Sequence, residues 1–280
     1  MTDLTLDGVA HAAWICRCRR MLTKFWSFRQ MPLHLLRCVP LALLACSAHA
    51  QDLLQVSPAV AKVEYEDASI RVIRSHYEPG SSSAMHSHPP RIVVSLKSGK
   101  LRLTKPDGSS VVPPDDPLQR PLALEAETHA VANIGSTPVE NIEIEFKQQA
   151  RLGELRTTPV ESSADPDSLL HEPYHRWVME TPWLRIVDAR IPPGSTTQWH
   201  RHSHTNIGIR IQGSRISSQK QGGEWSKPQD LSTGVVTFEK VEAPFVHRVN
   251  NSGTVEYHVV LIELLDANAK AAATTARDPN

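Results

Sequence analysis

Six histidines carry the chemistry that this sequence offers. His86-Ser87-His88 and His200-Arg201-His202 each hold two imidazoles one residue apart, and His129 and His247 follow more than forty residues later. Alternate residues of a β-strand point to one face and stand about 6.5–7 Å apart along the backbone, so each pair can converge on one ion. The third histidine must arrive on another strand that closes alongside. Imidazole nitrogen suits iron, zinc, nickel, copper and, with oxygen ligands added, manganese. A divalent metal ion is therefore the expected cofactor, and the ligands leave its identity open. A lone histidine pair is often a solvent-facing accident, but two pairs in register, each followed by His-x3-Asn, favour the metal.

The elements that position these side chains come as a duplication. Ile70-Arg71, Pro79-Gly80-Ser81, His86-x-His88 and Gly99 match Leu184-Arg185, Pro193-Gly194-Ser195, His200-x-His202 and Gly213 at a constant offset of 114. His129, Asn133, Gly135 and Glu145 match His247, Asn251, Gly253 and Glu263 at an offset of 118. Short β-branched or alternating segments, such as Ile70 to Ile73, Ile92 to Leu96 and Ile207 to Ile211, are punctuated by Gly, Pro and Asn, which reads as all-β. Closing each copy into a barrel removes exposed strand edges. The expected domains are 51–148 and 173–266, joined by a polar linker over 149–172 and followed by an alanine-rich tail over 267–280. Asn133-Ile134-Gly135 and Asn251-Ser252-Gly253 read as tight reversals, as do Gly99 and Gly213.

Gly80-x5-His86-x-His88 with Gly99, and Gly194-x5-His200-x-His202 with Gly213, resemble the first motif of the cupin superfamily. His129-x3-Asn133 and His247-x3-Asn251 resemble the end of its second. The resemblance covers nearly all of the chain after residue 50 and implies a bicupin: two tandem double-stranded β-helix, or jelly-roll, barrels, each with a metal site inside. The motif's glutamate is missing from both copies, its place falling on Ile92 and Asn206. What remains are two three-histidine sets, His86, His88, His129 and His200, His202, His247. An open three-histidine site resembles the iron centre of cupin dioxygenases that lack the acidic ligand, and it is equally compatible with Lewis-acid chemistry or passive binding.

Alignment with the family makes Ile92, Val94 and Leu96 the inward wall of the first barrel and Asn206, Gly208, Arg210 and Gln212 that of the second. This favours the second barrel as the ligand site, with Arg210 as anchor for a carboxylate or enolate and Asn206, Gln212, His204 and Trp199 extending the pocket. Ile207, Ile209 and Ile211 form the opposing apolar face, and a one-residue register error would exchange the two. Within His171-Glu-Pro-Tyr-His175 the two histidines stand four apart, but Pro173 between them favours an ordinary loop. Glu145 and Glu263 are expected to hydrogen-bond across the barrels without a catalytic role.

Basic residues at Lys24, Arg29 and Arg37, an apolar run from Val39 to Cys46 and Ala48-His49-Ala50 form a secretory signal. The mature chain is expected to begin at Gln51 and to be periplasmic or secreted, from a start better placed at Met21 or Met31. The alternative is a lipid anchor through Cys46, in Leu43-Leu44-Ala45-Cys46-Ser47. All four cysteines, Cys16, Cys18, Cys38 and Cys46, precede the cut, which excludes a disulfide framework or thiolate ligands in the mature chain. Past residue 50 the chain holds 24 Lys+Arg against 28 Asp+Glu, and no basic stripe points to nucleic acid. The expected partner is a small molecule, an anionic one fitting Arg210; a homodimer stays open because related folds often pair. The two function classes are a metal-dependent enzyme of the dioxygenase type and a non-catalytic binder of a small molecule or metal.

Overall fold

A computed structural model describes residues 51–114, 120–156, 158–159 and 165–265. The signal segment, with Cys46, and the alanine-rich tail lie outside these residues. Asp52 caps a single helical turn, α1 (Leu53–Val56), by accepting the Leu54 amide at 2.8 Å. Among the described residues all other regular elements are strands.

The first repeat runs β1 (Ala61–Glu66), β2 (Ile70–Tyr77), β3 (His86–His88), β4 (Arg91–Lys97), β5 (Leu101–Thr104), β6 (Ser110–Val111), β7 (Leu122–Leu124), β8 (Glu127–Asn133) and β9 (Val139–Phe146). The second runs β10 (His175–Glu180), β11 (Leu184–Ile191), β12 (His200–His202), β13 (Asn206–Gln212), β14 (Arg215–Lys220), β15 (Gln229–Asp230), β16 (Val236–Glu239), β17 (Phe245–Asn251) and β18 (Tyr257–Leu264). Each repeat folds into a five-stranded sheet, ordered β1-β2-β9-β4-β7 or β10-β11-β18-β13-β16, and a four-stranded sheet, ordered β3-β8-β5-β6 or β12-β17-β14-β15. The pairings are antiparallel and alternate between the sheets along the chain, giving two tandem jelly-roll barrels.

The five-stranded sheets pack back to back. Ile70, Val72, Ile92, Val94, Ile142 and Ile144 of the first meet Leu184, Ile186, Ile207, Ile209, Val260 and Ile262 of the second in one core, each at most 2 % exposed. Tyr65 stacks on Phe238 and Phe146 meets Trp183 edge-on, both with centroids 4.5 Å apart. Burying each such aliphatic side chain stabilises by about 1.5–3 kcal/mol, and these contacts tie both barrels into one compact unit.

This packing corrects the expected wall of the first barrel. Ile92 and Val94 face the shared core, whereas Arg91, Val93 and Ser95 line the barrel cavity. The cause is a one-residue slip between the repeats. Arg91 starts β4 three positions after His88, while Asn206 starts β13 four positions after His202, and the two pair with the equivalent Glu145 and Glu263. Ile92 therefore corresponds to Ile207 at an offset of 115. One residue fewer before Gly213 restores the offset of 114, so matches on either side conceal the slip.

The Asn-x-Gly reversals form as the sequence indicates. Asn133 Nδ2 donates to the Tyr77 and Thr137 carbonyls at 2.8 Å each, and its Oδ1 accepts the Gly135 amide at 2.9 Å. Asn251 repeats this with Ile191 at 2.9 Å, Val255 at 2.8 Å and the Gly253 amide at 3.0 Å. The glycines need small size here: a Cβ on Gly213 would stand 1.9 Å from the Leu231 carbonyl oxygen and one on Gly99 2.7 Å from Val139 Cγ2. Asn251→Ala strips a buried carbonyl of its donor and should lower unfolding free energy by about 1–3 kcal/mol, read by urea denaturation.

Candidate metal centres

Both histidine triads assemble. His86 lies directly across from His129 in the β3–β8 pair, and His200 across from His247 in the β12–β17 pair, with His88 and His202 two residues along the same faces. In each triad one ring nitrogen per histidine lies within 4.8 Å of the others. Ring centroids are 4.7–5.3 Å apart in the first triad and 4.5–5.3 Å in the second. Five of the six histidines are buried, and His247 is partly so.

Hydrogen bonds fix which nitrogens are available. His86 Nδ1 donates to the Ala84 carbonyl at 2.7 Å and His200 Nδ1 to the Gln198 carbonyl at 2.9 Å, because a carbonyl only accepts. Both Nε2 atoms are then lone pairs, buried without a protein partner. A ring nitrogen tied to a carbonyl or carboxylate with the other nitrogen free is how metal-ligating histidines are held. Burial pushes the His86 imidazole down to about 4, with the Ala84 carbonyl opposing and His88 and His129 adding to the fall. His247 is likewise lowered to about 4 by burial and by His175 and Lys220, while burial takes His200 and His202 well below the usual range. Neutral imidazoles are the form that binds metals.

The two barrels differ in what surrounds the triad. In the first, His88 Nδ1 meets Glu145 Oε1 at 2.6 Å, and Glu145 Oε2 is forked by Arg71 at 2.8 and 2.6 Å. Glu143, buried on β9, accepts from Ser75 Oγ at 2.8 Å and Arg91 Nε at 3.2 Å. Burial alone would raise its carboxyl, but His88 and Arg91 outweigh that and hold it low. Glu127 receives Arg91 Nη2 at 2.7 Å and stands 3.5 Å from His129 Nδ1. His129 and Arg91 draw it down to about 2 against the effect of burial. Three carboxylates, Glu127, Glu143 and Glu145, thus face two guanidinium groups, Arg71 and Arg91. Three converging imidazoles beside these carboxylates fit a divalent cation.

In the second barrel the matching positions are mostly apolar. Phe245 replaces Glu127, Leu261 replaces Glu143, Ala189 replaces Ser75 and Asn206 replaces Arg91. Arg185 still holds Glu263, at 2.6 Å, but Glu263 Oε1 and His202 Nδ1 are buried without partners.

A cavity of about 330 Å³ opens on the first triad. Its walls are mostly apolar, including Val93, Leu101, Leu103, Leu122, Val131 and Val139; the histidines, Arg91, Glu127 and Glu143 are among its polar groups, with Arg120 and Asn141 also lining it. Arg91 Nη1 is buried there without a partner. Sequence reasoning missed Arg91 because the concealed slip placed Ile92 on the wall, and Glu143 because Leu261 stands at its place in the second repeat, so the duplication does not mark it. The residues expected around the second triad are spread out. Asn206 is buried and its amide faces Glu239 at 3.3 Å, whereas Arg210 lies four residues, roughly 13 Å of strand, further along. Arg210 Nη1 donates to the Ser232 carbonyl at 3.0 Å. Gln212 is exposed and bonds the Gly213 carbonyl at 2.9 Å; Trp199 stacks under Arg248, and His204 is half-buried.

The loop reading of His171-x3-His175 is also corrected for its second histidine. His175 opens β10, is buried, and packs its ring 4.5 Å from that of His200.

Fold and site together define a two-barrel protein with a buried histidine triad in each barrel. No family model matches the sequence, and no curated protein does so. Among solved structures the chain is similar to AerE from Microcystis aeruginosa, at 22 % identity over 74 % of this chain and 97 % of that one, with a TM-score of 0.47. A cupin 2 conserved barrel domain protein from Leptotrichia buccalis shares 10 % identity over 73 % and 88 %, with a TM-score of 0.44. Salicylate 1,2-dioxygenase from Pseudoaminobacter salicylatoxidans, crystallised with gentisate, shares 11 % over 81 % and 82 %, with a TM-score of 0.47.

Glu145→Gln keeps the shape but removes the charge that orients His88. With the second triad disabled by His200→Ala and His202→Ala, it should weaken metal binding about 10–100-fold in a competition titration.

Proposed function

We propose that this chain is an exported, metal-binding bicupin whose first barrel is a metal-dependent enzyme of the dioxygenase type, acting on a compact, mostly apolar molecule with one anionic group. The observation that carries this reading is the convergence of three buried imidazoles, His86, His88 and His129, beside carboxylates at the floor of the cavity. His86, His88 and His129 would hold the metal, which when bound supplies open positions for substrate or dioxygen and Lewis-acid stabilisation of developing negative charge. Glu145 fixes the ring proton of His88 on Nδ1. Arg91, its Nε and Nη2 engaged by Glu143 and Glu127, has Nη1 left to receive a carboxylate or enolate oxygen from the ligand. The apolar walls exclude water around the rest of the molecule. Anchoring thus moves from Arg210 to Arg91, and the favoured barrel from the second to the first.

Metal analysis of untagged protein, followed by dioxygen uptake over a panel of small carboxylates and diketones, tests the proposal. Stoichiometric redox-active metal, oxygen uptake, and loss of both on His86→Ala are expected. Arg91→Lys keeps the charge but loses the guanidinium fork; it should weaken carboxylate binding about tenfold with metal content unchanged. Metal-free protein that keeps its ligand affinity after His86→Ala would instead establish a non-catalytic binder.

Export rests on the leader before Gln51. Cell fractionation and N-terminal sequencing should give a periplasmic or secreted chain starting at Gln51. An acylated Cys46 in the membrane fraction would identify the lipid-anchored form instead.

A further inference from the structure

The residues that precede the first strand of each repeat run along the His-x-His strand of their own barrel. In the first barrel the Gln51 carbonyl accepts the Ser87 amide at 2.9 Å, and Asp52 forms a parallel bridge with Ser87, the residue between His86 and His88. Ser57, which ends α1, accepts the Ala84 amide on Oγ at 2.8 Å, and the Ala84 carbonyl in turn orients His86. Leu53, 1 % exposed, pins the segment to a core with Tyr77, Val131 and Val139. Residues 51–57 thus form a strap along β3.

The second barrel repeats the arrangement with different side chains. The Asp167 carbonyl accepts the Arg201 amide at 2.7 Å, Ser168 bridges Arg201 in parallel, and Leu169 is 1 % exposed. Glu172 Oε1 accepts the Gln198 amide at 3.2 Å, and the Gln198 carbonyl orients His200. Gln51-Asp-Leu-Leu-Gln-Val-Ser57 and Asp167-Ser-Leu-Leu-His-Glu-Pro173 share only their Leu-Leu pair, yet both are fastened at the residue between the two histidines and at the one that orients the first of them.

The first strap reaches the triad by a further route. Asp52 Oδ1 caps α1 through the Leu54 amide, and Oδ2 accepts Arg71 Nη1 at 2.5 Å. Arg71 Nε and Nη2 both hold Glu145 Oε2, and Glu145 Oε1 meets His88 Nδ1. Every nitrogen of this guanidinium is engaged by a carboxylate, which fixes its plane and keeps one oxygen of Glu145 for the ring. Ser168 stands at the place of Asp52 in the second barrel, so the carboxylate that begins this chain belongs to the first.

We propose that Asp52 is a positioning residue of the first metal centre, acting through Arg71 and Glu145 on His88, and that the strap of residues 51–57 sets the first triad for its metal. This rests on the metal-binding reading of the first barrel, and the test separates the two.

The full mature chain, with the second triad disabled by His200→Ala and His202→Ala, is titrated with Co(II) against a competing chelator. Asp52→Asn retains an N-capping side chain but removes the charge facing Arg71. It should weaken cobalt binding about three- to tenfold, less than the loss of a direct partner of a ligand. In a Glu145→Gln background the same substitution should cost less than about twofold, because the chain through which it acts is already broken. A merely structural role would give equal losses in both backgrounds. Nitrogen NMR of the metal-free chain, labelled at histidine and assigned with His88→Ala, reads the ring itself: His88 should carry its proton on Nδ1, and Asp52→Asn should move that signal toward the Nε2-protonated form. Thermal melting checks that each variant is folded. An unmoved His88 signal, an unchanged cobalt affinity or equal losses in the two backgrounds would each overturn the proposal. A parent chain that binds no cobalt overturns the metal-binding reading instead, and the His88 signal then decides the role of Asp52 by itself.

Discussion

The back-to-back packing of the two five-stranded sheets is the constraint on which the rest depends. A strand has two faces, and once one is committed to the shared core of isoleucines and valines, the other must line a barrel. Every polar residue of both sites sits on that second face or on the sheet opposite. Ile73 and Ile142, neighbours in space on adjacent strands, are both fully buried, yet Ile142 belongs to the shared core with Ile144, while Glu143 between those two points at the triad. The site is therefore specified as much by the apolar residues that face away from it as by the histidines.

Much of this was legible in the sequence, and the reason is geometric. His-x-His on a short strand, a third histidine at fixed distance and Asn-x-Gly at a reversal are local patterns whose consequences do not depend on distant parts of the chain. The duplication multiplied their weight. The faces of β4 and β13 were not legible, because a one-residue slip before the strand is cancelled after it and both strands carry isoleucine or valine at alternate positions. Only the ladders with β9 and β18 resolve which residue is in. His175 escaped for another reason: Pro173 suggested a loop, and the loop is real, but it ends where the histidine enters a strand. The contact with His200 spans 25 residues and has no local signature.

The arginine–glutamate pairs show how a duplicated site diverges without losing its frame. Arg71–Glu145 and Arg185–Glu263 occupy matching positions, the second fully buried and the first with a part-exposed arginine, and breaking a buried pair typically costs about 3–5 kcal/mol because a charge is left without its partner. At the neighbouring positions the barrels differ: one has carboxylates and an arginine, the other phenylalanine, leucine and asparagine. Two centres of different character thus share one scaffold.

The first cavity also has a gradient along its depth. Leu122, 50 % exposed, stands at its outer part, with Val111 and Val112 exposed just before the lining residues Pro113 and Pro114, while Arg91 at the floor is 2 % exposed. The exposed Arg120 lines the cavity as well, so its outer part carries one charge among apolar groups while Arg91 and Glu143 lie at the buried floor. Attraction between charges is least diluted by water at that floor and most diluted at the exposed rim. Charged groups thus act at two strengths along one cavity, weakly where water reaches them and strongly where it does not.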